Sequence, residues 1–324
     1  MHQDQHEPVG PTGCTCGCGC GAPDRTHRTT RTDSREVLGA LGMLTQAVAA
    51  TGGWCAALTQ LGRYGPGSTT HGALDVRSGR IDLRLDAASI TAATIGEGSG
   101  EGDAVVHLID AQQRSAHRLR VGPGEDRLVL EGLLRADGHG GAELPWSTGA
   151  TTGAAGGPDA GAPDLRTEAG WHDGDHLAQL DALVTDGGLA RRAELAASGA
   201  VRYRQLPPAM LPDFLEHLSL HALGVGVAAL APGAMQAVQG PVQTVHRQGS
   251  RLRAVVDRAI LDLDCSRVGE CLLTQSSGVH GTTSTVEVYA DTGRCELAVT
   301  QLGLVPVADH AHWEHLAEVL PAGW

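Results

Sequence analysis

Apolar positions recur along the chain with two different periods. Val37, Leu38, Leu41, Leu44 and Val48 fall at helical spacing behind Asp33, an N-cap residue with Glu36 at the capping-box position. The pattern predicts a helix that begins at Asp33 and is stopped by Gly52 and Gly53. From Trp54 to about Leu134 the period changes. Arg80-Ile81-Asp82-Leu83-Arg84-Leu85 alternates polar and apolar, the mark of a strand with one buried face. Val105–Ile109 and Ala116–Val121 flank the turn-like Asp110–Arg114 and predict an antiparallel hairpin. Asp126–Leu134 reads as a closing helix. Residues 136–170 lose all periodicity and are dominated by Gly, Ala, Pro and Thr, which is a linker by composition. A second unit runs from Trp171 to Trp324: helices first, strands from near Leu223, and a last helix around Trp313–Leu320.

The two units look like copies. His71–Val76 resembles Gln239–Thr244 at an offset of 168 residues, and Val106–Asp110 resembles Val286–Ala290 at an offset of 180. Strand patterns follow in the same order in both. The expected fold is α+β, with two similar halves arising by internal duplication, each a large antiparallel sheet with packed helices. The expected division is a flexible Cys- and His-containing tail at 1–32, a first repeat at 33–135, the linker at 136–170 and a second repeat at 171–324.

Composition narrows the function classes. The 324 residues carry 24 basic and 37 acidic side chains, a net charge of −13, and no contiguous basic patch, which argues against nucleic acid or anionic lipid as the main partner. Hydrophobic residues make up 41%, enough for real cores. No apolar run approaches the roughly 20 residues of a membrane helix. The opening MHQDQHEPVG has neither a basic nor an apolar signal region, so the expectation is a cytoplasmic protein with no membrane insertion. All 24 basic residues are Arg; Lys and Asn are absent and Phe occurs once. These missing residues share AT-rich codons, so their loss reads as the imprint of a GC-rich coding sequence. Cys55, Cys265, Cys271 and Cys295 are scattered through strand-like segments and read as small buried hydrophobes. Cys14, Cys16, Cys18 and Cys20 form a separate cluster at i,i+2 spacing that can converge on a soft metal such as Zn or Cu, with His2 and His6 close by.

Several patches resemble the bacterial haem-utilisation, or hemin-degrading, proteins of the HemS/HmuS/ChuS type. Trp54-Cys55-Ala56-Ala57-Leu58-Thr59 looks like the family's "ALTRN" strand, and His71–Leu74 with Ile81–Leu85 like its "IDLR" stretch. Asp110-Ala111 with Ala116–Leu119 looks like its "FDAxGxAVHKIY" hairpin. Gln239–Val242 resembles "IQIHTGPV", Tyr289–Gly293 resembles "FDADG", and His312-Trp313 before Leu316 and Leu320 resembles the terminal "WRxLVxxL". The resemblance spans most of 37–135 and 171–321 and implies two similar halves with haem held between them.

Haem needs an axial donor for iron, Arg for the propionates, and apolar walls. The resemblance places the axial His on the first helix of the second half; Asp175-His176-Leu177 is the nearest match, so His176 is the candidate ligand to haem iron and His172 the reserve. His172 and His176 also stand at i,i+4, a pair for a metal only if a third ligand joins them. Arg84 falls on the family's haem-contacting Arg, with Asp86 where the family often has Phe. Gln301 falls in the family's "QFFGxR" stretch, where Val305 occupies the Arg position. His117, His71, the group His310, His312 and His315, and the pair His217 and His221 read as structural or surface residues. Gly96–Gly102 is acidic and not followed by Lys-Ser/Thr, so it is no phosphate loop.

The expected function is cytoplasmic haem binding in haem-iron acquisition. The protein would accept imported haem from an importer or delivery protein for trafficking, storage or degradation. As an enzyme it would be haem oxygenase-like and need an external reductase. The alternative is a metal-thiolate binding or sensing protein that uses Cys14–Cys20 and has lost haem.

Overall fold

The computed structural model describes residues 28–30, 39–64, 68–69, 80–86, 88–97, 102–136, 176–186, 188–198, 203–278, 281–302 and 305–321. The fold is α+β; among the described residues sixteen strands form one connected sheet system with few helices. The first stretch contributes β1 (Arg28–Thr30), β2 (Ala47–Gly52), β3 (Ala56–Tyr64), β4 (Ser68–Thr69), β5 (Arg80–Leu85), β6 (Ile90–Glu97), β7 (Ala104–Asp110) and β8 (Ser115–Val121), closed by α1 (Glu125–Ala136). The second contributes α2 (His176–Asp186), α3 (Leu189–Ser198), β9 (Tyr203–Leu206), α4 (Leu211–Leu220), β10 (Gly224–Ala231), β11 (Ala234–Gln248), β12 (Arg251–Val256), β13 (Ala259–Asp264), β14 (Val268–Gly278), β15 (Gly281–Ala290), β16 (Cys295–Thr300) and α5 (Val307–Val319).

The ladder runs β1-β6-β7-β8-β2-β3-β13-β12-β11-β10-β16-β15-β14-β9. Its order is the same from either end: the first strand of that stretch, its last three in sequence, then its second and third. The two stretches also exchange strands. The third strand of each pairs antiparallel with the fifth of the other, β3 with β13 (Leu58↔Leu261) and β11 with β5 (Met235↔Arg84). The hairpin turns match as well. Asp110 N–H donates to the Arg114 carbonyl at 2.9 Å, and Ala290 N–H donates to the Arg294 carbonyl at 2.8 Å. The third turn residue is left-handed in both, Gln113 at φ 60° and Gly293 at φ 81°.

The predicted hairpin of β7 and β8, strand β5 and the closing helix α1 are all present. The predicted first helix is not present over its second half. Residues 39–41 are helical, but Ala47–Gly52 is strand β2, and 33–38 lie outside the described residues. The reason is tertiary. β2 is bonded on both edges, to β8 and β3, and alternation buries Ala47, Ala49 and Thr51, so pairing overrides the helical spacing of Leu44 and Val48.

Side-chain alternation gives β10, β11, β14, β15 and β16 two different faces. Val225, Val227, Val286, Val288, Leu297 and Val299 point to one, covered by α4 (Leu211, Phe214, Leu215, Leu218) and α5 (Trp313, Leu316). Ala228, Leu230, Met235, Leu272, Tyr289 and Ala298 point to the other, covered by α2 and α3 through Leu180, Leu183, Val184 and Leu195. Residues of the first stretch form a third core around Leu41, Leu44, Ile81, Val106, Leu108, Leu119 and Leu130. Among the described residues no helix is long and apolar enough to cross a membrane.

Candidate functional site

The joint between the α2–α3 helix pair and the sheet is where buried charge collects. On β5, Ile81, Leu83 and Leu85 face the first-stretch core, so Asp82 and Arg84 must face the other way, toward α2. Arg84 is fully buried and its Nη1 donates to Asp181 Oδ1 on α2. Asp181 keeps 14% exposure and so marks the edge of the joint. Arg84 comes from the first stretch and Asp181 from the second.

A second buried pair lies under α3. Arg191 donates to Glu287 on β15; the side chains are 3% and 0% exposed. The guanidinium also donates to Gln179 Oε1 at 3.2 Å, to the Gln179 carbonyl at 3.4 Å and to Thr274 Oγ1 at 3.1 Å. Glu287 accepts further bonds from Thr274 Oγ1 at 2.6 Å and from the Tyr289 hydroxyl at 2.7 Å. Burial, reinforced by the Glu287 charge, pushes the Tyr289 hydroxyl far up, so it stays a donor to that carboxylate. Such a pair is tolerated inside a protein only because its remaining hydrogen-bonding capacity is used. The turn between the helices needs Gly188. Its φ is +73°, and a Cβ there would meet Leu183 Cδ2 at 2.8 Å and approach Cys295 and Tyr289. Beside this joint, a pocket of about 250 Å³ is lined by Leu189, Arg192, Ala193, Leu195, Tyr203, Glu270 and Leu272.

The expected site residues are placed unequally. His176 is the first residue of α2, the helix that carries Asp181 and Gln179, so Arg84 and the helix of His176 meet. Gln301 turns elsewhere: its Nε2 donates to the Asp309 carbonyl at 3.2 Å and its Oε1 accepts from His310 Nδ1 at 2.8 Å, both on α5. The neighbouring Leu302 does face α2 and α3. His172, His71 and Cys14, Cys16, Cys18 and Cys20 lie outside the described residues. Among the described residues no group of three or more His, Cys, Asp or Glu side chains is arranged to hold a metal ion. Cys55, Cys271 and Cys295 are buried free thiols; burial pushes Cys271 up to about 12, which leaves it inert. His221 meets the rings of both His217 and His312 at the surface between α4 and α5.

A separate buried polar chain links the two stretches. Tyr64 Oη lies 2.7 Å from His117 Nε2, His117 Nδ1 lies 2.6 Å from Thr51 Oγ1, and Thr51 Oγ1 donates to Gln236 Oε1 at 3.1 Å. Because Thr51 gives its only proton to Gln236, His117 must donate from Nδ1, and Nε2 accepts from Tyr64. Burial, with a smaller push from His107, lowers His117 to about 3, so the ring is neutral. It is part of the packing between strands.

Arg191, Glu287, Asp181 and Tyr289 were not singled out from sequence. Glu287 had a signal: Val286-Glu287-Val288-Tyr289 puts a carboxylate and a phenol on one face of a strand whose other face is Val. Arg191 had a weaker one, four residues before the buried Leu195.

The architecture has solved counterparts. The chain superposes on the apo heme-binding protein PhuS from Pseudomonas aeruginosa with a TM-score of 0.67 at 19% identity, over 92% of this chain and 88% of that one. It superposes on ChuS, an E. coli heme oxygenase, with a TM-score of 0.69 at 16% identity, over 91% of this chain and 89% of that one. The chain has the PhuS and ChuS fold. At these identities the likeness is one of fold. Holo-PhuS gives the same picture, at a TM-score of 0.65. No protein-family model matches the sequence, and neither does any curated protein.

Under α2 and α3 the residues fit a haem in kind. The first position of α2 is a His, Arg84 on β5 and Arg191 on α3 are suited to carboxylates, and Leu180, Leu183, Val184, Leu230 and Met235, packed on one another as core, are apolar. Both guanidinium groups, however, already hold carboxylates of the protein.

Proposed function

We propose that the protein binds haem at the α2–α3 joint, with His176 as the axial ligand and Arg84 directed to a propionate. What supports this reading most is the meeting of the His176-bearing helix with a buried Arg from the other stretch, within a fold shared with PhuS and ChuS. Bound haem supplies redox chemistry and, where a coordination position is open, dioxygen activation. The chain's own part is to place an imidazole at the start of α2, to match propionate charge with guanidinium, and to keep water from the macrocycle's apolar faces.

In this reading the protein takes haem from an importer or delivery protein in the cytoplasm and carries, stores or degrades it; degradation would draw electrons from a reductase. The two stretches are copies of one ancestral unit, a view supported by the matched strand order, the exchanged strands and the equivalent hairpin turns. Gln301, being bonded to α5, would contribute only by moving. Zn or Cu(I) at Cys14, Cys16, Cys18 and Cys20 is a separate proposal, tested by metal stoichiometry with and without residues 1–24.

Hemin titration tests the main proposal. A Soret band should appear at one equivalent in the wild type and shift or weaken in His176→Ala while persisting in His172→Ala. An identical spectrum and affinity in His176→Ala would overturn the ligand assignment. No saturable band in the wild type would overturn haem binding itself.

A further inference from the structure

Three histidines meet at the surface where α4 and α5 lie side by side, and the haem reading uses none of them. His217 is on the last turn of α4 and His221 is its C-cap, whose N–H donates to the His217 carbonyl at 3.2 Å. That i,i+4 spacing puts both imidazoles on one side of the helix, where two side chains can reach one ion. His312 comes from the middle of α5. The ring centres of His217 and His221 are 4.3 Å apart, and those of His221 and His312 are 5.7 Å apart. Two imidazoles on one tetrahedral ion, with metal–nitrogen bonds of about 2 Å, have ring centres about 5 Å apart. The two observed separations bracket that value. Among the described residues none of the three rings has a hydrogen-bond partner, whereas His117 uses both ring nitrogens inside the protein.

We propose that His217, His221 and His312 bind a divalent transition ion such as Zn2+, which ties α4 to α5. As the side chains stand, the rings lie against one another, and among the described residues no three donors converge on one point. The site forms when the rings turn about their side-chain bonds. His221 and His312 are exposed and His217 is half-buried, so this turning leaves the core alone. The two backbones are already in place. Phe214 and Trp313, both buried, join the helices with ring centres 6.2 Å apart, and Trp313 Nε1 donates to the Ser284 carbonyl at 3.0 Å. The Leu223 N–H donates to the Leu218 carbonyl at 3.1 Å and fixes the turn that carries His221. Neutral imidazole is a good donor to such an ion, and three of them leave the fourth tetrahedral position to water. The bound ion adds a surface link between the two helices that cover the apolar face of the sheet.

Equilibrium dialysis of the full chain against Zn2+, followed by metal analysis, tests this. His221→Ala should take up one equivalent fewer than the wild type. His312→Ala should hold that equivalent at least about tenfold more weakly, having lost the ligand from α5. Cys14→Ser/Cys16→Ser/Cys18→Ser/Cys20→Ser should keep it, which separates this ion from any held by thiolates. Zn2+ should raise the Tm of the wild type by more than that of His221→Ala, since an ion that binds only the folded chain stabilises it. His246→Ala, at an exposed histidine on β11, should leave uptake unchanged. Uptake by His221→Ala equal to the wild type overturns the site, as does an equal loss in His246→Ala or loss of this equivalent in the four-cysteine variant. Wild-type affinity in His312→Ala places the ion on α4 alone and overturns the link to α5.

Discussion

The two faces of the second-stretch sheet are covered by helices in two different ways. Under α4 and α5 the contact is Leu211, Phe214, Leu215, Leu218 and Trp313 on Val and Leu, with hydrogen bonds such as Trp313 Nε1 to the Ser284 carbonyl at 3.0 Å and the Ser284 N–H to Glu314 at 2.8 Å beside it. Under α2 and α3 a smaller apolar cluster surrounds two buried ion pairs, and one of these reaches across to β5 of the other stretch. Apolar burial of the first kind is non-directional and gives stability with few conditions attached. Ion pairs buried in helix–sheet contact are a weaker source of stability, since desolvation offsets most of the Coulomb gain. A protein that needed only a lid would use the first kind on both sides.

The largest expected effect tests whether the charged joint is held as described. Arg191→Met leaves Glu287 buried with a charge and should cost about 3–5 kcal/mol in chemical denaturation. Removing both charges with Arg191→Met/Glu287→Leu should recover most of that loss. If the single and double variants are equally damaged, the pair is not the source of the cost. On the apolar side, Leu215→Ala should cost about 2–5 kcal/mol through a cavity under α4, while leaving the hemin affinity of the folded fraction unchanged. A matching loss of hemin affinity would erase the distinction between the faces.

A smaller effect separates the neutral polar chain from both. His117 is held near 3 in the folded state and sits at 6.5 when unfolded, so the unfolded chain binds the extra proton first as pH falls. Its contribution is complete above pH 6.5 and drains away as pH drops toward 3. The loss is about 1.4 kcal/mol by one pH unit below the unfolded value. His117→Gln should flatten that slope in denaturation midpoints measured between pH 7 and 5. The smallest effect concerns Asp126 on α1, whose carboxylate accepts from Thr45 N, Thr45 Oγ1 and Gln46 N. Partial burial raises it, but these three bonds outweigh burial and hold it below the usual carboxylate range. Its contribution is present above pH 3.8 and lost as pH falls through the lowered value. Asp126→Ala should cost about 1 kcal/mol at neutral pH, and less in acid.

Much of the architecture was legible because it depends on local pattern. Alternation in Arg80–Leu85 predicted β5, but the one buried face it implied is in fact two: Arg84 and Asp82 on the polar side are buried as well. The hairpin of β7 and β8 was readable from its turn residues; of the two sequence offsets, His71–Val76 lies outside the described residues, and Val106–Asp110 and Val286–Ala290 fall on β7 and β15. What failed was Ala47–Gly52, where spacing suited a helix and two neighbouring strands decided otherwise. At the joint, Arg84 was singled out from sequence and the carboxylate it holds was not. Asp181 sits among Leu180, Leu183 and Val184 like any polar residue at a helix edge, and only the exchange of β5 into the other sheet brings the two together. Gln301 was selected by a short stretch of resemblance, but its partners His310 and Asp309 are set by how α5 docks, which no local pattern records.

Hydrogen–deuterium exchange with and without hemin tests the central claim most directly, since it reports each face separately in the intact chain. Hemin should change protection in α2, α3 and β5 and leave α4 and α5 as they were. Unchanged exchange in α2 and β5, or a change confined to α4 and α5, would contradict the account.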